Sequence, residues 1–218
     1  MISTSCHKNW QSSYYSTYAI SGNRGKDANY NGECYPKLAP KLQFWKIWHD
    51  NIGTISDEEN NKFYIQQYYA QVLSKLDPEQ VYRELDNSVL LCYEDNTAFC
   101  HRHIVAAWFE ILLGVTVPEQ KAKGFDIETI DRPDYIKEYL DEIMRKDRDM
   151  RGFKSLRALY IFEKGEKLEV EADRLEQETG KCYDHYRQRA CFLRCDADEE
   201  EARFNQKRLT KAIKNKSC

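Results

Sequence analysis

A chain of 218 residues suits one ordinary domain with an appendage, or two small ones. Hydrophobic residues make up 41% and charged residues 32%, so there is apolar mass for a core under a very polar surface; the 15 tyrosines and 4 tryptophans argue against wholesale disorder. The formal charge of −3 removes any global electrostatic pull toward nucleic acid or membrane, and no run approaches the roughly 20 apolar residues of a membrane helix.

Residues 1–6 read as a first strand, short and partly β-branched. They show no basic region followed by an apolar core, so no signal peptide is expected and a cytoplasmic location is the default. Residues 7–11 sit where a strand edge would turn. A second strand is expected over 14–21, with Tyr14, Tyr15, Tyr18 and Ile20 as strand formers. Gly22, Gly25, Gly32 and Pro36 mark 22–37 as a loop. Pro40 starts a helix carrying Leu42, Trp45, Ile47 and Trp48. Ser56 and Glu59 form a capping-box pattern for the next helix, whose stripe is Phe63, Ile65, Tyr68, Tyr69 and Val72. Asp77-Pro78 opens a third, with proline at the first helical position. Residues 88–94 are a short apolar run that reads as a buried strand. Residues 100–113 read as an amphipathic helix ending at Gly114.

Beyond this point, 126–150 reads as mostly helical, with Asp131 as cap and Tyr135, Ile136, Tyr139, Leu140 and Ile143 on one face. A boundary is expected at Arg151-Gly152. After it, 156–162, 167–175, 182–187 and 190–194 read as short strands separated by Lys-Gly and Thr-Gly turns. A terminal helix is expected from Asp198. The whole then reads as a three-layer, Rossmann-like α/β domain over 1–120, a helical connector over 121–150, and a small α+β appendage (a β-meander plus a helix) over 151–218.

The string LLCYED…FCHRHIVAAWFE, with CYPKLAP upstream at 34–40, resembles the bacterial family labelled domain of unknown function four-eight-eight. That family's pattern is a hydrophobic strand ending in Leu-Cys-Tyr/Phe-Glu, a short loop, then Cys-His-Arg opening a helix. Here these positions are Leu91, Cys92, Tyr93, Glu94 and Cys100, His101, Arg102. The resemblance extends to about Glu119. It implies a compact α/β domain and supplies no catalytic residue.

A strand that feeds a helix through a short loop puts that loop at the carboxyl edge of a sheet, where open α/β folds bind ligands. Cys100 lies near the start of a helix that Asn96 or Thr97 could cap, a setting that favours a thiolate. One reading is nucleophilic or redox chemistry, with Cys100 or Cys92 attacking, a histidine such as His101 as base and Glu94 as a further candidate base or sugar-hydroxyl partner. Another is anion binding at the helix start, with Arg102 and His7 as contacts and Arg24, Lys26, Lys37 and Lys41 near a loop over the site. The plainer alternative makes Cys92 a buried strand residue and pairs Arg102 with an acid such as Glu94. The tyrosine-phosphatase loop, with five residues between cysteine and arginine, and the Cys-x-x-Cys redox motif are both absent. Gly22-Asn23-Arg24-Gly25-Lys26 lacks Walker spacing.

Zinc is the cofactor to consider for the 8 cysteines. One ligand set draws on Cys6, His7, Cys92, Cys100, His101 and His103. It requires the first strand and the 88–94 strand to be sheet neighbours. A second, Cys182, His185, Cys191 and Cys195, has the span of a zinc knuckle but a changed ligand order and no intervening glycines. The C-terminal Lys207, Arg208, Lys211, Lys214 and Lys216 form a basic helix end that reads as a solvated face, with nucleic acid as the alternative. The combined expectation is a protein that binds an anionic, nucleotide-like small molecule at the Cys92 and Cys100-His101-Arg102 edge. Two alternatives remain: a non-enzymatic nucleic-acid-associated or adaptor module, and a zinc-binding protein.

Overall fold

The computed structural model describes residues 1–216, with side chains described through residue 212. Two units divide the chain, Met1–Met144 and Arg145–Cys218. The first is built on a seven-stranded sheet of β1 (Ser3–Cys6), β2 (Trp10–Gln11), β3 (Ser16–Ala19), β4 (Glu33–Cys34), β5 (Ser88–Cys92), β6 (Glu119–Lys123) and β7 (Asp126–Ile130). The order β2-β6-β1-β5-β3-β4 is parallel throughout, and β7 joins β6 antiparallel. Parallel neighbours need crossovers, usually helical. Helices α1 (Leu42–Asp50), α2 (Asp57–Gln71) and α3 (Pro78–Glu84) fill the path from β4 to β5, and α4 (His101–Leu113) fills the path from β5 to β6. The fold is therefore mixed α/β and Rossmann-like, as the sequence predicts.

Every residue of β1 and β5 is buried, as in strands covered on both faces. Their register sets Cys6 beside Cys92, so the two strands are the neighbours the first zinc set requires. Local rules hold where the sequence is explicit. Ser56 Oγ caps α2 by accepting from the Glu59 amide at 3.2 Å, and its hydroxyl donates to the Glu59 carboxylate at 2.8 Å. Asp77 accepts from the Gln80 amide at 2.9 Å and caps α3. Gly114 closes α4 at φ 66°, a left-handed position that favours glycine. Residues His101 to Phe109 of α4 are buried without a break, so this is a central helix rather than a surface one.

Three expectations are corrected. Residues 121–130 are not part of a helical connector; they continue β6 and form β7, a polar hairpin turning at Gly124 with φ 63°. The helix α5 covers only Tyr135–Asp147, so Asp131 lies outside it and does not cap it. The appendage holds no β-meander. Its described residues form two long helices, α6 (Leu156–Thr179) and α7 (Asp184–Lys216), so the expected helix start at Asp198 falls inside α7.

Ser155 caps α6 by accepting from the Ala158 amide at 3.2 Å. The Glu201 carboxylate of α7 accepts from the Lys154 and Ser155 amides at 2.8–3.0 Å and so satisfies further donors at that helix start. Gly165, which reads as a turn, lies mid-helix, where a Cβ would come within 3.1 Å of the Ala190 carbonyl oxygen. Gly180 does end its helix, at φ 68°. The side chains of Ile213, Lys214 and Lys216, and Cys218 altogether, lie outside the described residues. Among the described residues no helix is long and apolar enough to cross a membrane.

Candidate functional site

Strand β5 ends at Cys92, and α4 begins after Cys100. The eight-residue step between them returns both thiols to one point. The loop is held from inside: the Ala98 amide donates to the Asp95 carbonyl at 3.1 Å, and Arg102 Nη2 donates to the same oxygen at 2.8 Å. Cys100 is the N-cap residue with extended backbone (φ −155°), and no side chain caps the helix. Asn96, an expected cap, is instead buried: its amide donates to Glu119 Oε1 at 2.5 Å and to the Gln120 carbonyl at 3.1 Å.

Four side chains converge there. Cys100 Sγ lies 2.9 Å from Glu94 Oε2, and Cys92 Sγ lies 3.3 Å from the same oxygen. His101 Nδ1 stands 3.6 Å from Cys92 Sγ and 3.8 Å from Cys100 Sγ. Its Nε2 faces the Ile20 carbonyl oxygen at 3.1 Å. That contact puts the ring proton on Nε2 and leaves the Nδ1 lone pair facing the sulfurs. Burial pushes the Glu94 carboxyl up to about 7, and negative charge at Cys100 adds to the effect. Burial also drives the Cys92 thiol well above its ordinary value. Cys100 goes the other way. Against the cost of burial, a hydrogen bond from Cys92 and the charges of Arg102 and His101 hold it well below that value. Burial opposes the charged form of His101, yet the Cys100 charge outweighs it and raises its pKa.

These groups form one wall of a cavity of about 700 Å³, within the usual size range of small-molecule sites. Trp45, Trp48, Tyr64, Tyr93 and Phe99 supply flat apolar wall. Ser21, Asn23, Asp27 and Lys41 add polar groups to the lining. Helix α1 brings the two indoles, and Tyr68 Oη donating to the Leu38 carbonyl at 2.5 Å pins the segment that leads into it.

The cluster contains Cys92, Glu94, Cys100 and His101, the four residues the sequence singles out for chemistry. The expected ligand contacts are placed elsewhere. Arg102 is fully buried and lines no part of the cavity; its Nε pairs with Glu119 Oε1 at 3.1 Å, not with Glu94. His7 packs between Tyr30 and Tyr93, ring centroids 5.1 and 5.2 Å away. Lys37 pairs with Glu84 at 2.8 Å on the surface, and Arg24 is absent from the cavity wall. Of the first zinc set, Cys6 turns to Asn96 at 3.4 Å and His103 to Glu119 at 3.3 Å. Cys92, Cys100 and His101 alone among the described residues form a group whose donor atoms, all within 4.8 Å of one another, could hold a metal ion. The expected second zinc set is not such a group: Cys182, Cys191 and Cys195 are exposed. Sequence reasoning places Lys41 only in a basic loop near the site and Asn96 only as a helix cap, and it misses Glu119. Glu119 is one polar residue in a polar stretch, with nothing local to mark it.

Residues 13–111 match the family model DUF488-N3a, described as the active DUF488-N3 subclade, and this span contains all four clustered side chains. No curated protein and no solved structure matches the chain.

Proposed function

We propose, for a chain that belongs over residues 13–111 to the DUF488 family, that the first unit binds a small anionic molecule carrying a flat ring, of the nucleotide type. The observation that carries this reading is the cavity itself: aromatic walls from Trp45, Trp48, Tyr93 and Phe99, with Lys41 in the lining and Cys92, Glu94, Cys100 and His101 along one side. Every nucleobase has a face that stacks on an aromatic ring. Lys41 is the cation placed to meet an anionic group, a part the sequence assigns to Arg102. A molecule seated this way presents its polar portion to Cys100, Glu94 and His101, where thiol chemistry takes place if the site is an enzyme's.

Titration with a panel of mononucleotides, followed by tryptophan emission, tests this. Loss of a stacking partner is worth about 1–3 kcal/mol per base, so Trp45→Ala should weaken binding by about 5- to 150-fold. Lys41→Ala should weaken it as well, and Lys37→Ala should not. Absence of mononucleotide binding, or binding that Trp45→Ala and Lys41→Ala leave unchanged, overturns the reading. Binding of an oligonucleotide without any mononucleotide would favour a nucleic-acid module instead.

A further inference from the structure

The geometry points to a site for a soft divalent cation, zinc in chemical class, held by Cys92 Sγ, Cys100 Sγ and His101 Nδ1 with Glu94 Oε2 at the fourth corner. In a tetrahedral zinc site the metal–sulfur bond is about 2.3 Å and the metal–nitrogen bond about 2.0–2.1 Å, so sulfur and nitrogen donors sit roughly 3.6 Å apart. His101 Nδ1 stands 3.6 and 3.8 Å from the two sulfurs. Glu94 Oε2 is 3.3 and 2.9 Å from the same sulfurs, so the carboxylate need retreat only by several tenths of an ångström to complete the figure. The three protein ligands are buried.

The surroundings match what a metal-ligating histidine has. Such a ring almost always gives its second N–H to a carbonyl or carboxylate, which fixes the tautomer and aims the lone pair. His101 Nε2 has the Ile20 carbonyl oxygen at 3.1 Å. The ligands also come from rigid elements: Cys92 ends a fully buried strand, and Cys100 and His101 open a central helix. Metal binding takes both sulfurs as thiolates and releases to solvent the protons the four-residue cluster still holds, and no other bond changes. Glu94 is half-buried where the other three are buried, so the fourth corner is the one a ligand or a water can take. The inference goes beyond the nucleotide reading and does not need it.

The test uses the full chain, stripped of metal by a chelator under a non-coordinating reductant, then titrated with Co²⁺ and back-titrated with Zn²⁺. The expected result is one ion per chain, a sulfur-to-cobalt charge-transfer band, the strong visible bands of tetrahedral cobalt, and displacement of both by zinc. Cys92→Ser, Cys100→Ser and His101→Gln should each weaken zinc binding by more than about 100-fold, the most that losing an outer partner alone costs. Glu94→Gln should keep the ion and alter the visible bands. A triple variant at Cys182, Cys191 and Cys195 should bind as the parent does. Tryptophan emission shows that each variant still folds. If a ligand variant does not fold, the parent spectrum and zinc stoichiometry decide. No thiolate band in the parent, or zinc binding undiminished in folded Cys100→Ser, overturns the proposal. Nucleotide binding in Trp45→Ala is read separately, so either idea can fail alone.

Discussion

Replacing Glu119 by glutamine tests how the buried charge beneath the site is held. Glu119 and Arg102 side chains are both fully buried and meet at 3.1 Å. The carboxylate also accepts from Thr4 Oγ1 at 2.6 Å and from the Asn96 amide at 2.5 Å, and it lies 3.3 Å from His103 Nε2. Glutamine keeps the volume and removes the charge, which leaves the Arg102 guanidinium with the Asp95 carbonyl as its main partner. Stranding one half of a buried ion pair costs about 3–5 kcal/mol. With a urea slope of about 2 kcal/mol per molar, the unfolding midpoint should fall by about 2 M. The assay has a built-in selectivity: Trp10, Trp45, Trp48 and Trp108 all lie in the first unit, so their emission reports that unit without the second. Burial alone would raise the Glu119 pKa; the adjacent His103 ring and the Arg102 guanidinium outweigh it and bring it down. Stability from a lowered carboxyl is present at neutral pH and lost as pH falls through the folded-state pKa. The gap between parent and variant should therefore narrow in acid. Adding Arg102→Met should recover much of the loss, because an apolar pair of similar volume needs no charge balance. A midpoint shift below about 0.5 M, with slope unchanged, would refute the reasoning.

Tyr68→Phe leaves the Leu38 carbonyl without its buried donor and should cost about 1–3 kcal/mol, read from the same tryptophan emission. Glu201→Gln weakens the contact to the Lys154 and Ser155 amides and should cost the second unit on the order of 1 kcal/mol, read by helical circular dichroism. Gly165→Val drives a branched side chain at the Ala190 carbonyl; it should lower the melting midpoint of the second unit and leave the tryptophan signal of the first unchanged. Ser56→Ala removes the cap of α2 and should cost about 1 kcal/mol in the first unit, checked by urea titration.

The side-chain cluster was legible in the sequence because it is local. Cys92, Glu94, Cys100 and His101 fall within ten residues, and a strand, a short loop and a helix are enough to fold them onto one point. The part of Arg102 was not legible. Its partner Glu119 comes seventeen residues later, at the start of β6, and no local pattern says which acid a buried arginine will choose. The β6–β7 hairpin escaped because an edge hairpin of Glu, Gln, Lys and Asp lacks the apolar alternation that marks strands. The long helices escaped for a related reason. Short apolar windows such as 156–162 fit either period, and Gly165 looked like punctuation although it lies mid-helix, against Ala190.

The central position of β1 has a consequence for synthesis. It leaves the ribosome first, yet the acid that receives the Thr4 hydroxyl follows 115 residues later. At about 5–20 residues per second that interval lasts roughly 6–23 s. Until β5 follows, a nascent strand made for full enclosure has both edges open, and the edge that takes β6 stays open for the whole interval. The α6–α7 pair, contiguous in the chain, closes within a single short stretch of elongation. The earliest segment to be made is thus among the last to find its place.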